Sequence, residues 1–85
     1  MTYSVNISMI NEDLNITKSK TVEIFDGENQ AREEMDDAMK RWLHTPSIED
    51  VESDNDEYGN PVIYVTMDCG NVYTIGANMM DKELI

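Results

Sequence analysis

Six carboxylates crowd the stretch from Ser47 to Tyr58: Glu49, Asp50, Glu52, Asp54, Asp56 and Glu57, with no Lys, Arg or His among them. Carboxylates at this density can act as general acid and base, hold a hard cation, or satisfy the Lys and Arg side chains of a basic partner. The first use needs two of them set in a shaped cleft. A chain of 85 residues leaves little surface for one, since domains near this size bury only roughly 60% of what the unfolded chain exposes. No phosphate-cradling glycine loop, nucleophile elbow or dinucleotide fingerprint accompanies the acids. The chain therefore reads as non-catalytic and without a cofactor.

The second use can be tested by spacing. A calcium loop opening at Asp54 would place Asp56 at its third position and Gly59 at its sixth, as required. However, Tyr58 stands at the fifth and Val65 at the twelfth, where the bidentate Glu belongs. That leaves at most a weak, adventitious cation site. Zinc is excluded more simply, because the chain has one Cys, Cys69, and one His, His44. His44 reads as a capping or dipole-compensating residue at a helix end rather than a base.

The third use fits the charge. Eighteen acids against six bases give a net charge of −12 and a pI near 4.1. Such a chain is repelled by phosphate backbones and anionic membrane faces. Base stacking by Trp42, Tyr3, Tyr58, Tyr64 or Tyr73 fails for the same reason. The imbalance is also local: residues 26–57 carry −9 of the −12. Self-repulsion at that density costs stability, and a cation or a basic partner would offset it. Solubility alone is the plainer explanation. On the partner-binding reading the contact residues are Glu49, Asp50, Glu52, Asp54, Asp56 and Glu57, helped by Glu33, Asp36 and Asp37. Tyr58, an aromatic among acids beside a turn, is a candidate hot spot.

The elements that must position these groups follow from periodicity. Tyr3, Val5, Ile7 and Met9 alternate with polar residues, the signature of a strand with one buried face. After the turn residues Asn11, Glu12 and Asp13 comes a second alternating run in which Leu14, Ile16, Val22 and Ile24 share a parity, so residues 2–24 read as a hairpin. Asp26 is a candidate helix N-cap. Ala31, Met35, Ala38, Met39, Trp42 and Leu43 then form one apolar stripe at helical spacing, with Asp36–Lys40 and Asp37–Arg41 pairs opposite. Pro46 bars continuation of that helix.

The acidic segment 47–58 suits either a short edge strand or an irregular loop. Gly59-Asn60-Pro61 leads into the β-branched run from Val62 to Met67. Asp68 to Asn71 then turns into Val72 to Ile75, a second hairpin. The Met-rich tail from Gly76 to Ile85 reads as a helical turn on the sheet edge or as a homodimer contact through 79–85. The assembly is a single α+β domain over 1–85, an antiparallel sheet of four or five strands with one amphipathic helix on one face, in the order β-β-α-(β)-β-β.

The lone Cys69 sits in the second hairpin's turn, so no disulfide framework exists within the chain. No basic, apolar leader and no membrane-length apolar run are present, and the expected location is the cytoplasm. In size, acidity and element order the chain resembles small phage-encoded inhibitors of bacterial defence, among them anti-CRISPR proteins and uracil-DNA glycosylase inhibitors. Many of these are DNA mimics. The resemblance implies a protein that fills a basic nucleic-acid-binding cleft of a CRISPR effector or other defence nuclease. Carboxylates at i and i+2 on a strand lie roughly 6.6 Å apart, and helical i, i+4 pairs about 6 Å, which lets them follow a line of phosphate-binding donors. Three other functions compete: an immunity-type inhibitor of a toxin nuclease, an assembly module whose acidity only confers solubility, and a calcium-responsive domain.

Overall fold

The computed structural model describes residues 2–24 and 27–81, Asp81 by its backbone alone. Five strands and one helix follow in the order β1 (Tyr3–Ile10), β2 (Ile16–Ile24), α1 (Glu28–Trp42), β3 (Ile48–Asn55), β4 (Pro61–Met67) and β5 (Val72–Asp81). A 3-10 turn, Thr45–Ser47, holds Pro46 just past the helix. The strands form one antiparallel sheet in the order β2-β1-β5-β4-β3. The fold is therefore α+β, and both hairpins expected from periodicity are present.

The first and last strands meet at the sheet's centre, where Tyr3 to Ile10 run opposite Asp81 to Thr74. Val5, Ile7 and Met9 on β1, Ile63, Val65 and Met67 on β4, and Ile75 and Ala77 on β5 are buried toward α1. The helix supplies Ala31, Met35, Ala38, Met39 and Leu43 to the same core, with Trp42 half-buried at its margin. The stripe at helical spacing and the alternation at strand spacing thus meet face to face, and this burial of apolar area drives assembly.

The strands depart from the sequence reading in the tail and in the first hairpin. Residues 76–81 are not a helical turn: they continue β5 and pair with β1. Residues 82–85, which complete the expected dimer contact, lie outside the described residues, as does Asp26; Gly27 occupies the helix cap position. Leu14 and Ile16 do not share the buried face of Val22 and Ile24, being 83% and 66% exposed. The cause is local. Asn11 Oδ1 accepts from the backbone N–H of both Asp13 and Asn15 at 3.0 Å, and Leu14 takes a left-handed φ of 64°. The register then shifts between Met9 and Ile10, leaving Ile16 opposite Ile10 on the other face.

Candidate functional site

Strand parity sorts the polar side chains. Residues opposite the buried ones point away from α1, onto a face that no element covers among the described residues. β1 contributes Ser4, Asn6 and Ser8 there, β2 contributes Ser19, Thr21 and Glu23, and β5 contributes Thr74, Gly76 and Asn78. On β4 the open-face residues are Val62, Tyr64 and Thr66, which stand across from Asp54, Glu52 and Asp50 of β3.

The acidic segment is thus an edge strand followed by a tight turn. Asp50, Glu52 and Asp54 form a row about 6.8 Å apart along one side of the open face, as the antiparallel rise dictates. Charge on an edge strand also deters pairing with another chain's edge. Among the described residues no base pairs with Glu49, Asp50, Glu52, Asp54 or Glu57. Glu49 lies at the irregularity between Ile48 and Asp50, and Glu57 is exposed in the turn.

The five described bases are all elsewhere. Lys18 and Lys20 stand opposite the buried Met9 and Ile7, hence on the helix side, and Lys20 Nζ reaches Glu34 at 3.4 Å. Arg32, Lys40 and Arg41 belong to α1 itself. Arg32 pairs with Glu28 and Lys40 with Asp36, each at 2.9 Å, whereas Asp37 and Arg41 do not pair. Lys40 is held above its usual range, chiefly by the hydrogen bond to Asp36.

The helix acids are therefore not part of the β3 row. Asp36 is occupied by Lys40, and Glu33 and Asp37 are exposed on the helix, across the sheet from Asp50, Glu52 and Asp54. Asp56 has a structural task as well: its Oδ1 accepts from the backbone N–H of Tyr58 at 2.8 Å and of Asn60 at 2.9 Å, which shapes the β3–β4 turn. Tyr58 projects from that turn, 82% exposed.

Residues that the sequence did not single out complete the face. β4 begins at the buried Pro61, which has no N–H to extend a ladder, and its pairing with β5 ends at Val62 opposite Gly76. β5 runs on to Asp81 against β1 alone. The gap between the β3–β4 turn and this bare length of β5 is an open concavity of about 400 Å³, lined by Asn6, Ser8, Asp56, Tyr58, Asn60 and Asn78 over a floor at Gly76 and Ala77. The alternation of β1 placed Asn6 and Ser8 on a polar face, but their meeting with Asn78 depends on the β1–β5 pairing of distant segments.

Comparison with known proteins finds no matching family model, no matching curated protein and no matching solved structure. Among the described residues, no three His, Cys, Asp or Glu side chains group so as to hold a metal ion. No described helix is long and apolar enough to cross a membrane. Cys69 is exposed and unpaired in the β4–β5 turn, beside Gly70 with its φ of 95°.

Proposed function

We propose that this chain is a non-catalytic, cytoplasmic inhibitor that binds a basic nucleic-acid-binding site of a bacterial defence complex, a CRISPR effector or another nuclease, and excludes its substrate. One observation supports the reading above the others. The open sheet face carries Asp50, Glu52 and Asp54 along its β3 edge and no base among the described residues, while every described base lies on the helix side. A row of carboxylates along a hydrogen-bonded sheet presents acceptors to Lys and Arg donors spaced for phosphates. Its long-range field would speed encounter and weaken with salt. The helix face, where acids and bases interleave, offers no such field.

The test is capture from bacterial lysate on the immobilised protein, with elution by duplex DNA and, separately, by salt. The expected result is a nucleic-acid-processing protein released by either, and not retained by the D50N/E52Q/D54N variant, which keeps its fold by circular dichroism. Equal retention by wild type and variant, or bound protein that duplex DNA does not displace, overturns the proposal.

A further inference from the structure

We propose that the concavity beside Tyr58 is a seat for one arginine side chain of a basic partner protein. The inference rests on the partner-binding reading above and adds to it a specific guanidinium site. The chemistry of the walls carries it. Asn6, Ser8, Asn60 and Asn78 line the concavity, and their side chains make no hydrogen bond among the described residues. Each Asn amide therefore has an acceptor oxygen to offer, and the Ser hydroxyl another. Asp56 adds a carboxylate held in place by the two backbone N–H groups on its Oδ1, with Oδ2 unoccupied. The Tyr58 ring, 82% exposed at the rim, offers a face for stacking.

A cation with several donors in one plane matches this set. Guanidinium has five N–H donors and no acceptor, is weakly hydrated, and stacks on aromatic rings. Ammonium is a compact, strongly hydrated point charge and uses neither the ring face nor spread acceptors as well. The surrounding field favours a cation of either kind, since Asp50, Glu52 and Asp54 share the face and no described base does. The floor also leaves room: a Cβ built on Gly76 would meet nothing within 4 Å, so the backbone there is open to the incoming group. Gly76 pairs opposite Ser8 and Val62 in regular strand, where a β-branched residue fits.

The experiment is an NMR titration of the isotope-labelled protein with N-acetyl-arginine amide and, in parallel, N-acetyl-lysine amide. The arginine compound is expected to shift the side-chain amides of Asn6, Asn60 and Asn78 and the Tyr58 ring, with at least threefold tighter apparent binding than the lysine compound. Tyr58→Ala and Gly76→Val, the second filling the floor without changing charge, should each weaken arginine binding at least fivefold and abolish the preference. D50N/E52Q/D54N should weaken both compounds while keeping the preference. Equal affinities, or shifts confined to β3, overturn the seat. Should partner capture by wild type survive that result, the acidic face stands without the seat; should capture fail while arginine binds selectively, the seat stands without the proposed partner.

Discussion

Arg32, in the second turn of α1, donates through Nη2 to Asn55 Oδ1 at 2.8 Å and to the Asp54 carbonyl at 3.0 Å, while also holding Glu28. The helix that covers one sheet face thereby fixes the end of the acidic strand bordering the other. Asn55 extends the link by donating through Nδ2 to Glu28 Oε1 at 3.1 Å and to the Gly59 carbonyl at 3.0 Å. Arg32→Ala removes the hub, and because Nη1 is enclosed without a partner, part of the loss is returned. The expected cost is about 1 kcal/mol by urea denaturation. Amide exchange at Asp54, Asn55 and Gly59 should accelerate more than at Val65. Uniform acceleration along both strands would mean that the link is not local.

The same cluster makes a pH prediction. Glu28 is held below its usual carboxylate range, first by the Asn55 hydrogen bond and then by Arg32. A depressed folded pKa contributes stability that is present above the unfolded value of 4.5 and lost as pH falls through the lower, folded one. Glu28→Gln should therefore lower the melting temperature slightly at pH 7, with the difference closing below pH 4.5. A gap that persists undiminished at lower pH would assign the effect to the side-chain shape instead. Lys40, raised by Asp36, behaves inversely: its contribution is fully present below the unfolded 10.5 and lost as pH rises through the higher, folded value.

The elements were readable from sequence wherever one face of a periodic segment meets the core. Met35 and Ala38 declared the buried side of α1, and Val5 and Ile7 that of β1, because burial imposes the 3.6 and 2.0 periods on apolar residues. β3 gave no such signal: an edge strand with Val51 and Ile48 as its aliphatic residues has little core to write a period into it, so its conformation is set by the ladder with β4. The length of β5 was hidden for a related reason. Gly76 and Asn78 belong to the Met-rich tail that reads as a helical turn or a dimer contact, and only their pairing with Ser8 and Asn6, some seventy residues earlier, makes them strand. For the candidate site, the acids of residues 49–54 were visible as composition. Their separation from Glu33, Asp36 and Asp37 was not, because it follows from which side of the sheet α1 covers.

Met35 and Leu14 should respond oppositely to polar or smaller replacement. Met35 is fully enclosed between α1 and the sheet, so Met35→Ala leaves a cavity and should cost about 2–5 kcal/mol. Leu14 is 83% exposed at a φ of 64°, a conformation that Asn adopts more readily than a branched apolar residue. Leu14→Asn should therefore raise stability by about 0.5–1 kcal/mol. Urea midpoints of the two variants decide it. A Leu14→Asn protein less stable than the parent would show that Leu14 makes a contact its exposure conceals.

The acidic row should itself be a source of instability. Asp50 and Glu52, and Glu52 and Asp54, are neighbours on one strand face with no base between them, and the exposed ion pairs of α1 are too weakly coupled to compensate at that distance. Raising the salt concentration shortens the Debye length from about 30 Å at 0.01 M to about 8 Å at 0.15 M, which relieves the repulsion. The melting temperature should rise over that range. The D50N/E52Q/D54N protein should melt higher than wild type at low salt, with the gap narrowing as salt is added. That pattern would mean the row costs stability in the free protein, as expected of a surface shaped for a cationic partner. A variant that melts below wild type at every salt concentration would show instead that these carboxylates hold β3 in place, and the open face would lose its claim to be a binding surface.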